Sequence, residues 1–345
     1  MNVLIVNNMA PFVWGGAEEL AVNLRDQIKA AGHKSEVLRV PFQWEPAHGI
    51  PSQMVMARWL EFENVDRIIA LKFPAYLAQH EHKTLWLLHQ YRQAYDLFET
   101  GHTNLPPGKE GEDLRRMIRT ADDESFDECR AIFVNSPVTQ DRLLSHNGRA
   151  SKVLYPPVND PELFNGGPIG DYVFAGGRIN SMKRQHLIVE GLVHADPCVK
   201  LVVAGPPDTP EDATRLCETV ERLELSDRVR LDLRMLPREV YADYVNKSAA
   251  VAYIPFDEDS LGYVAMEAAT AARPIITTTD AGGVLGLVRD NQTGWVSAPE
   301  AASIAGALSA ACTNTARAAE FGRSARELWD SFGITWPRTV EVLLA

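Results

Sequence analysis

Tyr172-Val173-Phe174-Ala175-Gly176-Gly177-Arg178-Ile179-Asn180-Ser181-Met182-Lys183-Arg184 is a short apolar run, a glycine pair and a polar stretch rich in cations. A helical pattern near His186–His194 follows it. The apolar run reads as a buried strand, the glycines as a turn, and the whole as one strand–turn–helix unit. The same unit recurs on both sides. Towards the C-terminus Lys200–Ala204, Arg228–Leu231, Ala250–Ile254 and Pro274–Thr277 read as strands, with helices near Pro210–Leu223, Pro237–Asn246 and Leu261–Ala271. Two helical patterns, Pro299–Ala311 and Thr315–Asp330, follow before Trp336–Leu344. Towards the N-terminus Val3–Val6, Glu36–Val40, Arg67–Ala70, Thr84–Leu88, Ala131–Val134 and Lys152–Leu154 read as strands. Ala17–Ala31 is helical, with Leu20, Leu24 and Ile28 on one stripe and Gly32 as its stop. Such alternation predicts mostly parallel sheets covered by helices on both faces. Pro156-Pro157 and Asn165-Gly166-Gly167-Pro168 interrupt the rhythm and read as a linker. The expected architecture is therefore α/β, with two Rossmann-like doubly wound domains at residues 1–165 and 166–330.

Composition agrees. The 345 residues correspond to two domains at about 150 residues each. With 46% hydrophobic and 23% charged residues the chain is of ordinary globular make-up. A net charge of −12 argues against a nucleic-acid partner, which needs a basic footprint. Cys129, Cys198, Cys217 and Cys312 are widely spaced without a C-x-x-C pair, so they read as buried or idle thiols in a reducing compartment. No apolar run reaches the ~18 residues of a membrane span. Met1–Val6 lacks the basic start of a signal peptide. A cytoplasmic protein is expected, at most in peripheral contact with a membrane surface.

In doubly wound domains ligands sit beyond the carboxyl ends of the strands. Two such domains facing each other would enclose a central cleft, so the residues just after each strand are the candidates. Gly15-Gly16 precede the first helix, whose N-terminal N–H groups suit an anion. The stretch is not G-x-G-x-x-G, which counts against a nicotinamide dehydrogenase. His89 ends a strand, and Arg92 follows it. His80 and His82 lie in a polar turn and read as solvated. Arg178 and Lys183, with glycines before and a helix after, suit a diphosphate. In Asp257–Ala268, Asp259 reads as the N-cap of a helix opening near Ser260 or Leu261. Gly262 lets the first turn approach a ligand, and Glu267 follows a little over two turns in. Gly282-Gly283 make a further turn at the same edge.

Taken in order and spacing, Gly15-Gly16-Ala17-Glu18, His89, Gly177-Arg178 with Lys183, Asp259 through Glu267, Gly282-Gly283 and Thr293-Gly294 resemble family 4 of the retaining glycosyltransferases, which have the GT-B fold. The resemblance spans nearly the whole chain and is strongest from Tyr172 to Pro299. It implies that Arg178 and Lys183 grip the donor diphosphate and that Glu267 binds the nucleotide ribose. Asp259 would contact the donor sugar, and backbone N–H groups of Leu261, Gly262 and Tyr263 would hold phosphate. Gly15, Gly16 and Gly177 would approach the donor closely, and His89 would sit by the transferred sugar. No metal or other cofactor is implied. The segment near Trp336, about residues 331–345, would pack back on the N-terminal domain, as in relatives. Asp259 and Ser260 depart from the family's Glu-Gly.

The implied partners are a nucleoside-diphosphate sugar and a saccharide or other hydroxyl acceptor. The implied reaction is transfer with retention. The acceptor is expected to meet the N-terminal domain, with Arg92, Tyr95 and Asp96 as candidates. Arg115, Arg116 and Arg119 read as partners of Glu110, Glu112, Asp113, Asp122 and Asp123 on a solvated helix, the alternative being an anionic acceptor or membrane surface. A catalytically silent homologue that binds a nucleotide sugar or a partner is the rival reading. A sugar-nucleotide epimerase or a phosphorylase of the same fold is another.

Overall fold

A computed structural model describes residues 1–345. The chain divides into Met1–Pro157 with Ile334–Ala345 (unit 1) and Val158–Gly333 (unit 2). Pro156-Pro157, rather than the Asn165–Pro168 loop, lies at the division. That loop belongs to unit 2. The Gly166 N–H donates to Asn246 Oδ1 at 3.0 Å, and the buried Arg273 donates to the Gly167 and Pro168 carbonyls at 3.0 and 3.1 Å.

Unit 1 runs β1 (Asn2–Met9), α1 (Gly16–Ala30), β2 (Lys34–Pro41), α2 (Ile50–Arg58), β3 (Arg67–Lys72), β4 (Lys83–His89), α3 (Asp96–Glu99), α4 (Lys109–Asp127), β5 (Ala131–Val134), α5 (Pro137–Asn147) and β6 (Lys152–Val153). Its six strands are parallel in the order β2-β1-β3-β4-β5-β6. Strand alternation splits the core. Val3 and Ile5 face α1, whose stripe Leu20, Leu24 and Ile28 is fully buried there. Val6 joins the opposite cluster with Ile50, Met54, Ile118 and Phe126.

Unit 2 runs β7 (Tyr172–Gly176), α6 (Gln185–Gly191), β8 (Lys200–Ala204), α7 (Pro210–Arg222), β9 (Val229–Asp232), α8 (Arg238–Asn246), β10 (Ala250–Ala252), α9 (Tyr263–Thr270), β11 (Ile275–Thr278), β12 (Gly294–Ser297), α10 (Ala301–Thr313) and α11 (Thr315–Ser331). Its order is β12-β11-β10-β7-β8-β9, again parallel. α12 (Trp336–Leu344) returns to unit 1, where Trp336, Val340 and Leu343 complete the cluster around α1. Arg67 Nη1 fastens its end, donating to the carbonyls of Leu343 and Ala345 at 3.1 and 2.8 Å.

In unit 2 the first strand, β7, lies between β8 and β10. Strand order reverses at β7/β10, so the loops leaving those two strands diverge and leave a crevice at their carboxyl ends. No helix is long and apolar enough to cross a membrane.

Candidate functional site

The loops that leave β7 and β10 carry the sequence-predicted cations and acids of unit 2, at the switch point. Close backbone packing there depends on glycine. Gly205 (φ +143°) abuts Gly177 so closely that a Cβ would stand 2.0 Å from the Gly177 carbonyl oxygen. Gly262 has φ +77°, and a Cβ on it would stand 2.3 Å from the Tyr253 ring. Positive φ and contact together exclude side chains at both positions.

The cations of the β7 loop are not free. Lys183 Nζ donates to the Tyr253 hydroxyl at 2.9 Å and makes a short ion pair with Glu258. It also lies 5.2 Å above the Tyr253 ring. Burial works against the ammonium, but Glu258 and Tyr253 outweigh it and hold the Lys183 pKa above its usual value. Burial, with Glu258 beside it, pushes the Tyr253 hydroxyl up to about 12. Arg178 Nε faces Asp208 at 3.4 Å. Arg184, which carries no role in the sequence analysis, is the anchor of the loop. It makes a two-pronged pair with Asp280 at 2.8 Å and donates to the carbonyls of Ile254 and Pro255 at 2.8 and 2.9 Å.

The acids behave differently from expectation. Asp259 does not cap the helix. α9 begins at Tyr263 with Gly262 as N-cap, because the left-handed backbone of Gly262 stops the helix from reaching back further. Glu267 therefore sits about one turn into α9, not two, and only 3% of it is exposed. Its Oε1 accepts from Arg238 Nη1 at 2.5 Å. Arg238 opens α8, stacks on Phe164 with 4.7 Å to the ring centroid, and donates to the Asn159 carbonyl at 2.9 Å. Arg238 is not among the residues expected from sequence, and its signal is a charge just after Pro237 at a helix start, at the ligand edge of the sheet. Asp259 is buried, as are Leu261 and Gly262, and Tyr263 is half-buried. The N-terminal N–H groups of α9, which a helix leaves without intrahelical partners, open at this same edge.

Unit 1 places its candidates after β1 and β4. Gly15 is the N-cap of α1, with φ −156°, and its N–H donates to the Glu18 carboxylate at 3.0 Å; Gly16 is the first helical residue. His89 ends β4, with Nδ1 2.6 Å from the Gln90 carbonyl. Arg92 and Asp96 are brought together, but as an ion pair at 2.5 Å. Burial opposes ionisation of Asp96, yet Arg92 and Arg142 together hold its pKa below the usual value. Tyr95 is a correction. Its ring is in the core and its hydroxyl donates to Asp122 Oδ2 at 2.7 Å, so it is not placed to meet an acceptor. Asp122 is likewise no surface partner. It is fully buried and also accepts from the Tyr76 hydroxyl at 2.9 Å. Of the three helix arginines only Arg116 pairs as read, with Asp113. Arg115 reaches Glu99 at 2.7 Å, and Arg119 donates to the His146 carbonyl at 2.9 Å. Arg115 and Arg119 make their hydrogen bonds with other segments instead, while the Arg119 charge still acts on Asp122 of the same helix. A shallow pocket of about 340 Å³ lies beside them, lined by Phe98, Glu112, Arg115, Arg116, Arg119 and Asp123. None of the four thiols is fully buried: Cys198 is exposed, and Cys129, Cys217 and Cys312 are half-buried.

Residues 170–328 match the model of the family described as glycosyl transferases group 1. No curated protein matches the sequence. Solved structures do match in fold. HepE of Anabaena in complex with UDP and glucose superposes with a TM-score of 0.71 at 17% identity, over 100% of this chain and 98% of that one. Sucrose-phosphate synthase from Thermosynechococcus elongatus gives 0.78 at 16% identity, over 99% and 97%. WaaG, a glycosyltransferase involved in lipopolysaccharide biosynthesis, gives 0.73 at 14% identity, over 99% of each chain. The chain therefore has the GT-B fold of two Rossmann-like units, and its residues 170–328 carry the pattern of the group 1 glycosyltransferases.

Proposed function

We propose that this protein is a retaining glycosyltransferase that moves a sugar from a nucleoside-diphosphate sugar to an acceptor hydroxyl. The observation that carries the reading is the meeting of the β7 and β10 loops at the switch point, where Lys183 bonds Tyr253 and Glu258 and Gly177 packs against the first turn of α9, with Glu267 one turn along that helix. The match of this stretch to the group 1 family supports it, as does the UDP and glucose held by the HepE neighbour.

In this reading Glu267 takes the ribose hydroxyls of the donor. Arg238 pairs with the Glu267 carboxylate and orients it. Lys183, Arg178 and the N–H groups around Leu261, Gly262 and Tyr263 take the diphosphate. Their positive charge stabilises the leaving group as the glycosidic bond breaks. Asp259 binds the sugar hydroxyls; in unit 1, His89 at the end of β4 and Gly15 and Gly16 at the start of α1 are the candidates for contact with the donor. The acceptor oxygen attacks on the face from which the nucleoside diphosphate departs, and a phosphate oxygen of that leaving group takes the acceptor proton. The chain's own cations neutralise the diphosphate without a divalent ion. The acceptor is a saccharide or another hydroxyl compound, met by unit 1 near Arg92 and Asp96. The protein acts in the cytoplasm, with a peripheral membrane contact left open by the acceptor.

Calorimetric titration with UDP, GDP and ADP, in chelator and without added metal, tests this. One nucleoside diphosphate binds in the micromolar range, and Lys183→Ala and Glu267→Ala abolish that binding. If none of the three binds, the reading is wrong. A silent homologue is the second reading, favoured by Asp259 at a position where the family has Glu. It binds the nucleotide and turns over none of its sugar conjugates against any acceptor.

A further inference from the structure

Each cation of the β7 loop has its own carboxylate, and the three pairs are built for different ends. Arg184–Asp280 is a two-pronged lock that also gathers two carbonyls, so it holds the loop to the strands. Arg178–Asp208 is looser, at 3.4 Å, and Asp208 is also held by Asn180 at 2.8 Å. Lys183–Glu258 is direct and sits where the donor diphosphate is placed above.

The geometry points to Glu258 as a displaceable counter-ion, which holds Lys183 when no donor is bound and competes with the donor's diphosphate for that ammonium. This rests on the reading of Lys183 as a phosphate ligand.

The backbone of Glu258 is pinned on both sides. Its N–H donates to the Ala281 carbonyl at 3.2 Å, and its carbonyl accepts from Gly283 N at 2.7 Å. Gly282, beside it, has φ +68°, and a Cβ there would stand 2.4 Å from the Glu258 carbonyl oxygen. The loop therefore cannot carry Glu258 away. Only the side chain can turn, and a quarter of it already faces solvent. Lys183 has a second support that stays. Tyr253 accepts its hydrogen bond at 2.9 Å and lies beneath its charge, and Tyr253 is fixed by its contact with Gly262. Lys183 can thus exchange one anion for another without moving. A diphosphate carries more charge than one carboxylate, so it wins the exchange. An uncharged nucleoside gains nothing from it. After transfer, the carboxylate returns to the ammonium and helps expel the nucleoside diphosphate.

Glu258→Gln removes the competing charge and keeps the side-chain size. UDP, GDP, ADP and uridine are titrated into wild type, Glu258→Gln, Glu258→Asp and Lys183→Ala. The diphosphate that wild type binds is held about tenfold tighter by Glu258→Gln, the scale of one charge-assisted contact. Its release, followed by stopped flow, slows in proportion. Uridine affinity is unchanged, and Glu258→Asp stays near wild type. If Glu258→Gln binds the diphosphate equally or more weakly while melting like wild type, the counter-ion role is overturned and the donor site stands. If neither wild type nor Glu258→Gln binds any diphosphate, the donor site itself is wrong and the counter-ion falls with it.

Discussion

Asp122 offers the most direct test of the physical reasoning in unit 1, through Asp122→Asn. The carboxyl is fully buried and accepts from the hydroxyls of Tyr76 and Tyr95 at 2.9 and 2.7 Å. Burial raises its pKa from 3.8 to about 7; the two hydroxyls and Arg119 oppose this, and Asp123 adds to it. A group whose folded pKa is raised stabilises most below its unfolded pKa, and that contribution is lost as pH rises through the folded value. At 1.36 kcal/mol per unit the full loss is about 4 kcal/mol, of which about 2.5 kcal/mol falls between pH 5 and pH 8. Asparagine fills the same space, accepts from one tyrosine and donates to the other, and does not titrate. The assay is denaturant unfolding of wild type and Asp122→Asn at pH 5, 6, 7 and 8, followed by tryptophan fluorescence, to which the buried Trp86 of unit 1 contributes. The difference between the two proteins cancels every other titrating group. Relative to the variant, wild type loses about 2.5 kcal/mol across that range, and at pH 8 the variant is at least as stable. A difference that is flat with pH refutes the assignment, because it would mean that Asp122 is ionised throughout.

Three further outcomes follow from packing and charge. Gly262→Ala forces a Cβ against the Tyr253 ring at φ +77°; unit 2 loses about 1–3 kcal/mol, and nucleotide affinity measured by calorimetry falls with it. Leu343→Ala empties a fully buried place between α12 and α1; about 2–5 kcal/mol is lost, and hydrogen exchange shows the weakening in unit 1 alone. Arg238→Met takes the guanidinium away from the nearly buried Glu267; nucleotide affinity measured by calorimetry drops at least about tenfold, and an unchanged affinity would sever Arg238 from the ribose site.

The strands are readable because most are short apolar runs, several of them closed by glycine, proline or asparagine, as at Val3–Val6, Lys200–Ala204 and Ala250–Ile254. Tyr172–Gly176 and Lys200–Ala204 fall within a residue of expectation. Gly294–Ser297 has only Trp295 and Val296 as an apolar pair, too short a run to read as a strand, so only its Thr-Gly start is legible. The start of α9 was misplaced for a different reason. Asp259 is a good capping residue by local chemistry, but the backbone at Gly262, set by packing on Tyr253, decides where the helix begins. The candidate cations were visible in sequence and their partners were not. Glu258 meets Lys183 from 75 positions away, and Asp280 meets Arg184 from 96. Nothing in a linear pattern announces such pairs; they exist only once β7, β10 and β11 are side by side.

The return of α12 to unit 1 has a consequence for biosynthesis. The apolar stripe of α1 leaves the ribosome early, but Trp336, Val340 and Leu343, which cover it, are made only after all of Val158–Gly333. At about 5–20 residues per second that is a wait on the order of ten to thirty seconds. During it the first unit carries an uncovered oily seam while the second is already able to close on itself. Order of completion is then the reverse of order of synthesis, and the nascent chain presents that seam to whatever chaperone attends the exit tunnel.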